Sequence, residues 1–163
     1  MRMRWDRPGG RRSGSEEPPP LRGRAMRIVR FQEVDPMGVV WHGRYPEFLE
    51  DARVEADRAC GMDYPDFFRE GFKAPVVRLE IEYRSPLRLG DSFSIDAELR
   101  WSDAVRFDHE YVLRIHPEGR LVAAARTVQL LLDRADAVCL FWPDYFQKLR
   151  SDWRLGRLGG PRV

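Results

Sequence analysis

Two stretches near the middle of the chain alternate between apolar and charged side chains at every second residue. In residues 77–84 the apolar side chains point one way and the charged ones the other, and residues 93–101 repeat this pattern. A period of two predicts β-strands with one packed face and one face in water. Residues 121–132 are almost continuously apolar, which is typical of a strand covered on both faces. With a further strand predicted over residues 107–115, the second half of the chain must form a sheet.

The first half of the chain contains one long amphipathic helix. From Tyr45 the apolar residues recur at helical spacing as far as Cys60, and Gly61 provides a natural C-terminal stop. A second, short helix is predicted over residues 64–70, and a first strand over residues 27–33. Short turns between the later strands favour an antiparallel meander, whose inner face covers the apolar stripe of the helix. The sequence therefore predicts an α+β fold, in which an antiparallel five-stranded sheet wraps around one long central helix.

Composition predicts one folded domain between two polar ends. Residues 1–25 carry a net charge of +4 although the whole chain carries +2, so the rest of the chain is slightly acidic. This N-terminal part is rich in Arg, Gly and Pro and has few apolar residues, so we predict a disordered tail over residues 1–25. The domain is predicted over residues 26–150 and a flexible C-terminal tail over residues 151–163. Because the basic charge belongs to the tail, nucleic acid is not expected as a partner.

The remaining composition favours a cytoplasmic protein. Cys60 and Cys139 are isolated and lack the spacing of a metal site, so we expect two reduced thiols and neither a metal nor another cofactor. No run of about 18 apolar residues is present, so no membrane span is expected.

The segment from Asp35 to Tyr45 brings together a carboxylate, a glycine (Gly38), an imidazole (His42) and the start of the long helix. A helix start presents N–H groups without intrahelical partners and the positive end of the helix dipole, which together can polarise a carbonyl. An adjacent carboxylate would supply a base or a nucleophile. On position alone, Asp35 before Pro36 also fits an ordinary turn, and His42 also fits an exposed helix cap.

Residues 31–61, FQEVDPMGVVWHGRYPEFLEDARVEADRACG, resemble the acyl-CoA thioesterases of the hotdog fold, particularly the 4-hydroxybenzoyl-CoA and Tol-Pal-associated thioesterase groups. The resemblance rests on the motif Asp-x-x-Gly-[Val/Ile]-Val-x-x-x-x-Tyr and on the element order over about residues 26–150. It implies an enzyme that hydrolyses acyl-CoA to a free carboxylic acid and CoA. It also implies a homodimer or homotetramer with active sites between subunits.

The resemblance assigns roles to individual residues. It makes Asp35 the catalytic carboxylate, as nucleophile or general base, and makes the backbone N–H at His42 the group that polarises the thioester oxygen. Substrate contacts are expected from Gly38, Val40, Trp41, Tyr45 and Arg106. For Trp41, a place in the hydrophobic core is favoured over one in the acyl pocket.

Two alternatives stay open at this level. One is a non-catalytic hotdog domain that binds acyl-CoA. The other is a thioesterase acting on acyl carrier protein, because the turn expected to hold the CoA phosphates offers only Arg106 and the neighbouring Arg100.

Overall fold

The computed structural model describes residues 17–158, which form five β-strands and three α-helices. In chain order these elements are β1 (Leu21–Ile28), α1 (Tyr45–Ala59), α2 (Tyr64–Glu70), β2 (Val76–Tyr83), β3 (Ser92–Arg100), β4 (Arg106–His116), β5 (Leu121–Leu130) and α3 (Asp144–Arg154). Two short 3₁₀ helices, Phe31–Glu33 and His42–Arg44, lie between β1 and α1. Both predicted helices of the first half are present, and Gly61 follows α1 with a left-handed φ of +73°.

The five strands form one antiparallel sheet in the order β1-β3-β4-β5-β2. Strands β3, β4 and β5 make the predicted meander. The expectation that β2 continues this meander is wrong, because β2 pairs with β5 at the edge of the sheet. Residues 84–91 then carry the chain to β3 on the far side of β4. Eight residues are long enough for this crossing, whereas a two-residue hairpin turn would keep neighbouring strands paired.

Helix α1 packs on the inner face of the sheet, over β1 and β3. Its inward stripe of Phe48, Ala52 and Ala56 is fully buried, and two of the three residues are small. The backbones of α1 and β1 approach so closely that a Cβ atom on Gly23 would lie 2.3 Å from the backbone nitrogen of Ala56. A glycine is therefore required at this crossing, and it brings α1 down onto the sheet.

The prediction of a disordered tail over residues 1–25 is wrong for residues 21–25, which belong to β1 and pair with β3. Two of the residues that β1 turns toward α1, Gly23 and Ala25, are small, so no hydrophobic alternation marks the strand. The first strand predicted over residues 27–33 is likewise displaced, since residues 31–33 form a 3₁₀ helix. Residues 1–16 lie outside the described residues.

The predicted C-terminal tail is wrong for residues 151–154, because α3 continues to Arg154. Phe146, Leu149 and Trp153 follow one another at helical spacing and face a second apolar cluster with Phe67 and Phe107. The buried indole N–H of Trp153 donates to the carbonyl of Pro19 at 2.8 Å, which ties α3 to the start of β1. Residues 159–163 lie outside the described residues.

None of the helices formed by residues 17–158 combines the length and the apolar character needed to cross a lipid bilayer.

Candidate functional site

A tight turn carries Asp35. The Gly38 amide donates to the Asp35 carbonyl at 2.9 Å, and the Asp35 amide donates to the Val39 carbonyl at 2.9 Å. The Asp35 side chain joins the turn, because its Oδ1 accepts the Met37 amide at 2.8 Å. Gly38 has a φ of +74°, in the left-handed region that glycine adopts without strain. The turn therefore leaves Asp35 half-buried, with one carboxylate oxygen engaged by the backbone.

Backbone contacts hold the two arms of this turn. Val34 and Val40 form an isolated antiparallel bridge, and the Trp41 amide donates to the Glu33 carbonyl at 2.9 Å. The Val40 amide donates to the Leu87 carbonyl at 2.8 Å, which attaches the turn to the crossover between β2 and β3. The position of Asp35 is thus set by main-chain hydrogen bonds on both sides of the turn.

The chain passes from the turn into α1 through the 3₁₀ helix His42–Arg44. The Trp41 carbonyl accepts the Arg44 amide at 2.9 Å, which closes this first turn. The Trp41 ring lies 5.2 Å from the His42 ring and rests on Gly43, where a Cβ atom would meet the indole at 2.3 Å. Trp41 is 48% exposed, so the expectation that it belongs to the core is wrong. The missing side chain at Gly43 lets the indole fold back beside the helix start.

An open cleft of about 300 Å³ lies beside the start of α1. Its walls come from the arm of the Asp35 turn, the helix start and the end of β2: Val39, Val40, His42, Tyr45, Tyr83, Arg84, Ser85 and Pro86. Several of these side chains are apolar or aromatic, while the first N–H groups of the helical segment have no partner within that segment. The cleft thus combines apolar walls with the positive end of a helix dipole.

Two tyrosines shape the cleft. Tyr45 is buried, and its ring meets the edge of the Tyr83 ring at a centroid distance of 4.9 Å. Burial, helped by the neighbouring Tyr83, raises the pKa of Tyr45 to about 12, so its phenol is neutral at physiological pH. The Tyr83 hydroxyl donates to the His42 carbonyl at 3.2 Å and so fixes the peptide between His42 and Gly43.

Three of the predicted site residues line the cleft, whereas Asp35 and Gly38 are not among its lining residues. Val40, His42 and Tyr45 line the cleft, and Trp41 lies beside them. Asp35 and Gly38 form the turn whose arm supplies one wall. Tyr83 and Gly43 also belong to this region, although the sequence pattern does not mark them as site residues. The only sequence signal for Tyr83 is its inward position in a predicted strand.

Arg106 lies apart from these residues within one chain. Arg106 is the first residue of β4, whereas the cleft lies beside Tyr83 on β2. Tyr83 pairs with Ala123 on β5, and Ala123 pairs with Leu113 on β4, so Leu113 marks the level of the cleft on β4. Arg106 and Leu113 are seven steps apart along β4, roughly 23 Å at the usual rise per residue. The Arg106 guanidinium donates to Asp108 at 2.9 Å and lines a separate small cavity next to α3.

A long helix packed on a five-stranded antiparallel sheet is the architecture of the hotdog class, and solved structures of that class superimpose on the chain. A hypothetical protein from Thermus thermophilus is 29% identical, with a TM-score of 0.69 over 79% of this chain and 98% of that one. The prediction of the hotdog fold is confirmed.

The chain belongs to the thioesterase-like superfamily, because the sequence model of that family matches residues 29–149. A protein of Synechocystis sp. described as an esterase is 40% identical over 110 residues, and the chain spans 66% of its length, just under two-thirds. A 1,4-dihydroxy-2-naphthoyl-CoA hydrolase of Synechococcus elongatus is 30% identical over 110 residues, covering 66% of this chain and 79% of that hydrolase. The match is to thioesterases in general rather than to one of the two groups named from the sequence.

Proposed function

We propose that this protein hydrolyses acyl-CoA thioesters to a free carboxylic acid and CoA, with Asp35 as the reactive carboxylate. The observation that carries the proposal is that Val39 and Val40, from the arm of the Asp35 turn, and the start of α1 line the same cleft. The arm of the turn forms one wall of the cleft, and His42 and Tyr45 form another. Membership of the thioesterase-like superfamily and the similarity to a CoA-thioester hydrolase support the same chemistry.

In this proposal the start of α1 binds the thioester carbonyl. Negative charge develops on that oxygen as the carbonyl carbon is attacked, and fixed N–H donors near His42 stabilise it. Removing one donor of this kind typically costs on the order of 3 kcal/mol of transition-state stabilisation. A thiolate leaves readily, so no strong acid is needed to protonate the leaving group.

Asp35 then acts in one of two ways. Its Oδ1 accepts the Met37 amide, while its Oδ2 has no hydrogen-bond partner within residues 17–158. As a nucleophile, Oδ2 bonds to the carbonyl carbon, the C–S bond breaks, CoA leaves as thiolate, and water hydrolyses the resulting anhydride. As a general base, Oδ2 takes a proton from the water that attacks the carbonyl carbon.

The proposed enzyme is an oligomer, at least a dimer, in which the edge strand β2 pairs with a second copy. On the face of β2 that carries the core residue Ile81, Leu79 is 41% exposed and Tyr83 49% exposed. An edge strand with exposed apolar side chains is a ready template for pairing with another chain. Tyr83 also lines the cleft, so the proposed interface adjoins the site. Sedimentation equilibrium is expected to give the mass of a dimer or tetramer, and a monomer at micromolar concentration would contradict the assignment.

The activity is tested by thiol release from a panel of aliphatic and aromatic acyl-CoAs and acyl carrier proteins. Asp35→Asn is expected to lower kcat by about two decades or more, as for loss of a nucleophile or general base. Asp133→Asn is the matched control, because Asp133 accepts the Ala135 amide two residues on at 2.8 Å, as Asp35 accepts that of Met37.

Each outcome decides a different part of the proposal. Equal activity in the Asp35→Asn and Asp133→Asn variants would remove Asp35 from the mechanism. Acyl-CoA binding without hydrolysis by the wild type would favour the non-catalytic alternative. Activity confined to acyl carrier protein substrates would change the proposed carrier.

A further inference from the structure

An ion pair between the half-buried Arg27 and the buried Glu33 joins β1 to the segment that leads into the Asp35 turn. Glu33 is 4% exposed and the Arg27 side chain 17% exposed. Glu33 Oε1 accepts the Arg27 Nη2 donor at 2.8 Å, and Oε2 accepts the Arg30 amide at 2.8 Å. Both carboxylate oxygens are therefore satisfied, which is the condition for a buried charge to be tolerated.

Arg27 also contacts helix α1. Its second terminal nitrogen, Nη1, donates to Asp51, and its guanidinium lies 4.6 Å from the centroid of the Phe48 ring. The planar fork of arginine can engage two carboxylates and an aromatic face at the same time, which a lysine ammonium cannot do. One side chain of β1 thus links α1 to Glu33.

The backbone of Glu33 completes the connection. Its carbonyl accepts the Trp41 amide at 2.9 Å, so Glu33 holds the chain on both sides of the turn. Glu33 lies two residues before Asp35, and Trp41 immediately precedes His42. A shift of Glu33 would therefore move the reactive carboxylate and the helix start relative to each other.

We propose that Arg27 and Glu33 are positioning residues, which fix the Asp35 turn against the start of α1. The inference rests on the proposed thioesterase function for its catalytic consequence and on the contacts above for its structural one. Neither residue lines the cleft, so their effect on the reaction passes through Asp35 and the His42 peptide. A displacement of about 1 Å in a reacting group can cost roughly a hundredfold in rate.

Another ion pair of β1 supplies the control. Arg22 donates to Glu98 at 2.8 Å, with the Arg22 side chain 69% exposed and that of Glu98 25% exposed. Exposed pairs of this kind contribute little to stability. Glu98→Gln therefore makes the same chemical change as Glu33→Gln, in a glutamate that also pairs with an arginine of β1 but lies away from the Asp35 turn.

The experiment compares Glu33→Gln, Arg27→Lys, Asp51→Asn and Glu98→Gln with the wild type. For Glu33→Gln and Arg27→Lys we expect kcat to fall roughly ten- to a hundredfold with KM within about twofold. Asp51→Asn removes only the ion pair between Arg27 and the exposed Asp51, so a smaller fall in kcat is expected in a folded protein. Glu98→Gln should retain wild-type kcat. In parallel, native-state hydrogen exchange should show faster exchange of the Trp41 amide in Glu33→Gln than in Glu98→Gln.

Hydrogen exchange tests the proposal whether or not the protein is a thioesterase. Unchanged Trp41 exchange together with wild-type kcat in the folded Glu33→Gln protein would overturn the positioning role. A rise in KM at constant kcat would also overturn it, because it would indicate a role in binding. If Asp35→Asn is inactive while all four of these variants keep full kcat, the positioning role fails and the proposed function stands. If Glu33→Gln and Arg27→Lys do not fold, wild-type kcat and Trp41 exchange in Asp51→Asn would still overturn it.

Discussion

Gly38 and Gly61 form a natural pair for separating backbone strain from an effect on the site. Their φ angles are +74° and +73°, and at both positions an added Cβ atom would have no neighbour within 4 Å. Alanine at either position therefore brings strain but no collision. Gly38 lies in the Asp35 turn, before α1. Gly61 follows the other end of α1, and the 15 residues of this helix span about 22 Å.

The expected loss of stability follows from two opposing contributions. Holding an L-residue in the left-handed region costs about 1–2 kcal/mol. Replacing glycine also reduces the freedom of the unfolded chain, which offsets about 0.4–1 kcal/mol. We therefore expect both Gly38→Ala and Gly61→Ala to lose about 1 kcal/mol, a fall in Tm of about 2–4 °C for a domain of this size.

Activity should distinguish the two variants. In Gly38→Ala the strain is relieved most easily by opening the turn that the Gly38 amide closes onto the Asp35 carbonyl, which displaces the carboxylate. We expect kcat for acyl-CoA hydrolysis to fall at least tenfold in Gly38→Ala and to be unchanged in Gly61→Ala. Gly38→Asn should recover part of the loss, because asparagine tolerates the left-handed region better than alanine. Equal kcat in the two alanine variants, or no difference between Ala and Asn at Gly38, would refute the reasoning.

Three other predictions concern single side chains. Tyr83→Phe removes the hydroxyl that donates to the His42 carbonyl. Because Tyr83 is half exposed and a water molecule can replace its hydroxyl as donor, we expect the free energy of unfolding to change by less than about 1 kcal/mol but kcat to fall several-fold. Steady-state kinetics and a thermal melt would show whether the two effects separate. Burial, with the nearby Asp57, raises the pKa of Cys60 from its ordinary 9.0 to about 12. In the native protein at pH 8, iodoacetamide should therefore modify the half-buried Cys139 well before the buried Cys60, which mass spectrometry would detect. The same raised pKa favours the folded state below pH 9, and this contribution is lost at up to about 1.4 kcal/mol per pH unit between pH 9 and 12, which denaturant melts across that range would measure. Simultaneous modification of both thiols, or a free energy of unfolding that does not fall above pH 9, would contradict the raised pKa of Cys60.

The elements that the sequence predicts well are those whose packing is recorded in large apolar side chains. The α1 stripe and the left-handed stop at Gly61 are visible as spacing, and so is the alternation in β3. The first half of β1 is invisible by this measure because its inward positions include Gly23, which the close approach of Ala56 requires. Where packing depends on the absence of a side chain, hydrophobic periodicity gives no signal.

Burial of charge is equally hard to predict from the sequence. Glu33 appears as one member of an alternating stretch, yet it is among the buried residues because Arg27 and the Arg30 amide satisfy it. Trp41 shows the opposite error, since an aromatic residue is expected in the core and here lies half exposed. Both outcomes depend on tertiary neighbours that the local sequence pattern does not reveal.

The site itself explains why sequence reasoning identifies Asp35 more readily than the groups that work with it. In the proposed mechanism the carbonyl-binding groups are backbone amides, and Asp35 is placed by the amides of Met37 and Gly38. Any residue except proline supplies a backbone amide, so these groups leave no mark in composition or motif. Their geometry depends instead on glycines, one for its left-handed φ at Gly38 and one for the indole that rests on Gly43. If the proposal is right, substitutions at these two glycines should reduce turnover through geometry alone, without removing any chemical group from the reaction.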